Sequence, residues 1–265
     1  MERPIGVIDS GVGGLTVVKE MIQHLPNESV LYLGDDERCP YGSRTTEEVH
    51  QFTMEMVQKL ATMDIKLLVI ACNTATAIAL ESVVAAYNFP VIGVIVPGAR
   101  ASVNSSTSHK IAVLGTTRTI QSEAYTNEIK KVAADALIYP LDCPEFVPLV
   151  ESGQYQSESV KEIVHERLRH LEHADFDTAI LGCTHYPLLE HHIESGLPNH
   201  VKIISSAMET VKDVERVLSE RRLFAVKEAV AEHIFLTTGN SKTFKTIVEE
   251  WLALKNPNVQ HIQLP

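Results

Sequence analysis

Two stretches of this chain repeat one design. Asp64-Ile-Lys-Leu-Leu-Val-Ile-Ala-Cys72-Asn73-Thr74 recurs, altered, as Asp175-Phe-Asp-Thr-Ala-Ile-Leu-Gly-Cys183-Thr184-His185. In each, an Asp stands eight positions before a Cys, and a largely apolar run ends in Ala or Gly. A short run of Val, Ile and Leu stopped by a small residue reads as a buried parallel strand. Each thiol then lies just past the carboxyl end of a strand, where open α/β sheets hold their ligands. Two thiols offered in the same way by two parts of one chain point to chemistry on opposite faces of one small molecule.

The surrounding pattern alternates strand and helix, which predicts parallel sheets covered by helices. A strand over 4–9 leads into the turn Ser10-Gly11-Val12-Gly13-Gly14. Then come a helix over 15–24, a strand over 29–34, a polar loop over 35–44 and a helix over 46–63 capped by Thr45 or Thr46. After the first thiol strand a helix is predicted from about 76 to 87, then a strand over 89–96 closed by Pro97-Gly98. A second cycle follows: a polar turn over 102–109, a strand over 110–115, a helix near 120–134 and a strand near 136–139. It continues with an irregular apolar stretch over 141–153, a helix over 157–173, the second thiol strand and a strand over 201–205. The spacing from Ile5 to Ile111 nearly matches that from Cys72 to Cys183, as an internal duplication would give. The tail reads as helices over 207–219, 225–232 and 241–254 around a strand over 233–238.

Composition narrows the function. The 265 residues are 45% hydrophobic, enough for a substantial core, and the net charge is −11. That charge argues against nucleic acid, whose binding needs clustered Lys and Arg, and against an anionic membrane surface. No apolar run approaches the ~18 residues of a membrane-spanning helix, and the first residues have no signal-peptide pattern. The expectation is a cytosolic protein. In that compartment the four cysteines, Cys39, Cys72, Cys143 and Cys183, are expected as free thiols. Cys39 and Cys143 read as small buried hydrophobes, whereas the paired context singles out Cys72 and Cys183.

The glycine turn after Asp9 lacks the spacing of a phosphate loop. It reads equally as a tight turn and as a carboxylate and hydroxyl, Asp9 and Ser10, offered to a bound amine. Cys183-Thr184-His185 as half of a metal site lacks a second pair of ligands, and the adjacent His191 and His192 read as a solvated helix face. A nucleophile, Cys183 activated by His185, leaves Cys72 without a role. Two-base proton transfer at a carbon acid uses both thiols. A thiol titrates near pH ~8.5, so both protonation states are within reach. Asp9 and His185 are the candidates to set those states. Helix N-termini after each strand are expected to lower the thiol pKa and to receive a carboxylate. Ser10, Asn73, Thr74, Thr116 and Thr184 supply neutral hydrogen bonds at the same edge.

Five motifs carry a resemblance: Asp9-Ser-Gly-Val-Gly-Gly-Leu-Thr16, Arg38-Cys-Pro-Tyr-Gly42, Ala71-Cys-Asn-Thr-Ala-Thr76, Cys143-Pro-Glu-Phe-Val-Pro-Leu-Val-Glu151 and Gly182-Cys-Thr-His-Tyr-Pro-Leu-Leu189. With the tail strand Phe235-Leu-Thr-Thr-Gly239, they make essentially the whole chain resemble the cofactor-independent glutamate racemases. The resemblance implies interconversion of L- and D-glutamate for peptidoglycan synthesis, without pyridoxal phosphate or metal. It implies that Cys72 takes the proton from D-glutamate and Cys183 from L-glutamate, assisted by Asp9, Glu151 and His185. Substrate contacts are implied for Asp9, Ser10, Tyr41, Gly42, Asn73, Thr74, Thr116, Thr119, Thr184 and His185. The implied architecture is two pseudo-symmetric α/β domains, 1–97 with 207–265 and 98–206, around a cleft, in a homodimer. Aspartate as substrate, a catalytically inactive binding protein and a Cys-dependent hydrolase remain the alternatives. Asp35-Asp36-Glu37 and Arg118 depart from the family pattern and add charge near the mouth.

Overall fold

The computed structural model describes residues 3–153, 155–226 and 230–265. The chain runs β1 (Ile5–Asp9), α1 (Leu15–His24), β2 (Val30–Gly34), α2 (Thr46–Ala61), β3 (Leu67–Ile70), α3 (Asn73–Ala86) and β4 (Val91–Gly93). It continues α4 (Ile95–Ser105), β5 (Lys110–Gly115), α5 (Thr117–Gln121), α6 (Ala124–Val132), β6 (Leu137–Asp142), α7 (Phe146–Glu151), α8 (Glu158–Leu168), β7 (Thr178–Gly182), α9 (Glu190–Gly196) and β8 (Lys202–Ser205). It closes with α10 (Ser206–Arg221), β9 (His233–Thr237), α11 (Ser241–Leu252) and β10 (Asn258–His261).

Two sheets form, and every pairing in them is parallel. One has six strands in the order β10-β9-β2-β1-β3-β4, the other four in the order β6-β5-β7-β8. The run β2-β1-β3-β4 and the run β6-β5-β7-β8 have the same connectivity, so the duplication seen in the thiol strands extends to whole sheets. The tail strands β9 and β10 extend the first sheet.

Both faces of each sheet are covered, which is why the strands read as unbroken apolar runs. Successive residues point to opposite faces. Leu67 and Val69 join Val7, Tyr32 and Phe235 on one side, while Leu68 and Ile70 join Ile8, Leu31 and Leu33 on the other. In the second sheet Ala112, Leu114 and Leu181 face one cluster and Ile111, Val113 and Ile180 the other. Burying a side chain of this size removes roughly 1.5–3 kcal/mol of unfavourable hydration, so the alternation fixes each strand's register.

Several boundaries differ from the sequence expectation. The strand expected over 89–96 is only β4, and Pro97-Gly98 lies in the first turn of α4 instead of ending a strand. Proline is tolerated there because first-turn N–H groups have no helical partner. The polar turn expected over 102–109 is partly helix, since α4 runs to Ser105 and Ser102 is fully buried. The helix expected near 120–134 is two, broken at Glu123, whose φ is 54°. The irregular stretch over 141–153 contains α7. The helix expected over 225–232 falls partly on 227–229, outside the described residues, and its flanks are not helical.

Candidate active site

The carboxyl ends of the two sheets face each other, and each presents a thiol. Cys72 follows β3 and is itself the N-cap of α3, with an extended backbone and Sγ accepting the Ala75 N–H at 3.4 Å. α3 therefore begins three residues earlier than its apolar pattern suggested. The Cys72 thiol donates to Ser10 Oγ at 3.6 Å. Burial and the charge of Asp9 push it up to about 12, and the Ala75 and Ser10 bonds offset this only in part. The expected lowering by a helix N-terminus is outweighed, because a thiol 5% exposed has little water to stabilise its anion.

Cys183 follows β7 in the matching place and is 7% exposed. It has no helix behind it of the kind that follows Cys72. A 3-10 turn, Tyr186–Leu189, comes first, and α9 starts only at Glu190. Its neighbour is an imidazole: Cys183 Sγ and His185 Nδ1 are 3.8 Å apart. His185 Nε2 lies 2.6 Å from Glu151 Oε1, at the end of α7. Burial opposes the imidazolium, yet the bonds to Cys183 and Glu151 outweigh it and hold His185 well above its usual value. In that state Nε2–H donates to Glu151.

Asp9 ends β1 without solvent contact. Its carboxylate accepts the Gly11 N–H at 3.1 Å and the Thr184 hydroxyl, from the other sheet, at 3.2 Å. Burial raises its pKa from 3.8 to about 6, against the opposing pull of His185. No bond joins Asp9 to Cys72 among the described residues; its influence there is electrostatic. The glycine turn after it approaches the second half closely, since a Cβ on Gly13 would stand 2.5 Å from His185 Nδ1. That contact needs glycine.

A polar wall completes the enclosure. The hydroxyls of Thr74, Thr116 and Thr119 lie 2.9, 3.2 and 3.0 Å from one another. Asn73 Oδ1 accepts from Tyr125 at 2.7 Å, and Asn73 Nδ2 is buried without a partner among the described residues. A buried donor of this kind costs about 1–3 kcal/mol unless a ligand meets it. Gly42 backs onto Thr116. Tyr41 is nearby, with its hydroxyl donating to the Asp35 carboxylate. The site's polar residues are thus gathered from both sheets.

The bland reading of Cys143 fits its full burial, with Sγ against the Leu141 carbonyl at 3.7 Å. The same reading of Cys39 misses that its Sγ is 3.9 Å from Glu151 Oε1. His192 is not on a solvated face; it is 7% exposed and its Nε2 meets the Tyr155 carbonyl at 3.0 Å. Tyr125 carried no sequence signal, because its role is to hold Asn73 across the sheets.

The Asp/Glu/hydantoin racemase family profile matches residues 5–214. A glutamate racemase of Lysinibacillus sphaericus is 48% identical over 264 residues, covering 100% of each chain. The crystal structure of a glutamate racemase isoform from Bacillus anthracis has a TM-score of 0.95 at 44% identity, covering 99% of this chain and 98% of that one. The glutamate racemase of Francisella tularensis, solved with D-glutamate, has a TM-score of 0.92 at 33% identity, covering 99% and 98%. With the paired strand-end thiols, these likenesses show that the chain belongs to the Asp/Glu/hydantoin racemase family and stands within it among the glutamate racemases.

Proposed function

We propose that this protein interconverts L- and D-glutamate by proton transfer at Cα between Cys72 and Cys183. The observation that carries the reading is the pair of thiols at matching strand ends of two sheets with the same connectivity, each with a different partner. A racemase needs a base on one face of the stereocentre and an acid on the other.

Asn73 Nδ2, the three threonine hydroxyls and the first N–H groups of α3 form the receptor for the substrate carboxylates. Asp9, Ser10 and Thr184, with the backbone of Tyr41-Gly42, close the other side. Cys72 starts as the thiol, the donor required when Cys183 removes the proton from L-glutamate. His185, held as the imidazolium and backed by Glu151, donates Nδ1–H to the Cys183 thiolate, which takes the Cα proton and becomes the thiol. For D-glutamate the roles reverse, and Cys72 needs its proton taken in a site where Asp9 titrates near neutrality. The residues 1–97 with 207–265 act as one lobe and 98–206 as the other. The broader role we infer is supply of D-glutamate for peptidoglycan, in the cytoplasm, by a homodimer that needs no cofactor. Among the described residues no helix is long and apolar enough to cross a membrane.

Circular dichroism of L- and D-glutamate and of both aspartates, incubated with the chelator-treated protein, tests the substrate. Glutamate alone is expected to lose its optical signal; faster loss with aspartate would reassign it. Cys72→Ala and Cys183→Ala are each expected to lower turnover of both enantiomers by about 10²–10⁴-fold. Near-normal turnover in either variant would sink the two-thiol mechanism.

A further inference from the structure

One cluster beside the thiols has no part in proton transfer as described. Cys39 Sγ, a Glu151 carboxylate oxygen and a His185 ring nitrogen all lie within 4.8 Å of one another. The place where a Gly11 Cβ would stand is 3.2 Å from Cys39 Sγ and 3.4 Å from Glu151 Oε1, so Gly11 leaves the cluster open on that side; Asp36 Oδ1 is 3.4 Å from the same place but lies outside the cluster. A thiol, an imidazole and a carboxylate, with water in the open position, are a donor set for a borderline-soft ion in tetrahedral geometry.

We propose that Cys39, Glu151 and His185 Nε2, with water in the fourth place, form a Zn²⁺-class binding site that, when filled, inhibits the protein. The spacing is close to what such an ion needs. Zn–S near 2.3 Å and Zn–O near 2.0 Å set a tetrahedral edge of about 3.5 Å, against 3.9 Å from Cys39 Sγ to Glu151 Oε1. The His185–Glu151 pair, now 2.6 Å apart, opens by under about 1 Å to reach the same edge. Binding releases two protons to solvent, the Cys39 thiol proton and the one shared by Nε2 and Glu151. Nothing is oxidised or reduced. Glu151 is part-exposed, which gives the ion a way in.

The consequence is twofold. A metal on Nε2 takes away the Nε2 proton and the Glu151 pairing that hold His185 as the imidazolium beside Cys183. The ion also ties Cys39 of the first half to Glu151 and His185 of the second, which holds the two halves together. The inhibitory consequence rests on the proposed racemase reading; the binding site does not.

Cobalt titration of the chelator-stripped full chain tests the site. One equivalent is expected to produce a thiolate-to-cobalt charge-transfer band. The band should persist in Cys72→Ala and Cys183→Ala, vanish in Cys39→Ser, and be displaced by Zn²⁺. A band that survives Cys39→Ser, one that depends on Cys72 or Cys183, or no band at all would overturn the proposal. X-ray absorption of the zinc-loaded wild type gives an answer independent of any variant: one sulfur ligand is expected, and two sulfurs or none would contradict it. In turnover assays, Zn²⁺ should inhibit the wild type reversibly, and Cys39→Ser should need at least tenfold more Zn²⁺ while keeping its metal-free rate. Equal inhibition of both would remove the inhibitory role. A wild type without turnover but with the Cys39-dependent band would defeat the racemase reading and leave the metal site standing.

Discussion

Asp9 is a carboxylate with no solvent contact, held between a backbone N–H and a threonine of the other half. Its pKa rises from 3.8 to about 6 on folding, so the folded chain holds that proton more tightly than the unfolded one. Below about pH 4 the group is neutral in both states and folding bears no penalty. Between about 4 and 6 the penalty grows, and above 6 it is complete, at about 3 kcal/mol. Asp9→Asn should therefore raise the melting temperature at pH 8, show no gain at pH 4, and cost turnover. An equal shift at both pH values would show that ionisation of Asp9 is not the cause.

At the scale of elements, the helix that the sequence marked most clearly is α2. Thr45 accepts the Glu48 N–H at 3.2 Å, and the Glu48 side chain returns to the Thr45 N–H at 2.9 Å. Thr45→Ala should cost about 1 kcal/mol and lower the melting temperature by about 2–4 °C, with catalysis unchanged. No change in unfolding would mean that solvent replaces the cap without loss. The elements that were misread have separate causes. Pro97 looked like a stop, yet it sits in the first turn of α4, as Pro148 does in α7, where its missing N–H is no loss. β10 left no trace in the apolar pattern because an edge strand needs only backbone pairing. α3 begins early because Cys72 serves as its cap, a role that sequence patterns assign to Ser, Thr, Asp or Asn.

Across the whole molecule, the thiols were legible because a duplicated strand displays them twice. Glu151, Tyr125 and Cys39 act through contacts between segments distant in sequence, which periodicity does not record. Arg118 is another such case. Its guanidinium donates twice to the Arg44 carbonyl, at 3.0 and 2.8 Å, and so joins the two halves at the mouth of the site. Arg118→Ala should raise KM severalfold while leaving the melting temperature within about 1 °C, as for a surface substitution; an unchanged KM would show that the clasp does not govern entry. The unequal neighbours of Cys72 and Cys183 have a last consequence for the proposed reaction. Enantiomers have the same free energy in water, so kcat/KM must be identical in the two directions whatever surrounds each thiol. The difference between Asp9 with Ser10 and His185 with Glu151 can therefore appear only as kcat and KM rising or falling together for one enantiomer. A substitution on either side leaves the protein with no preferred product, only a slower approach to the same racemate.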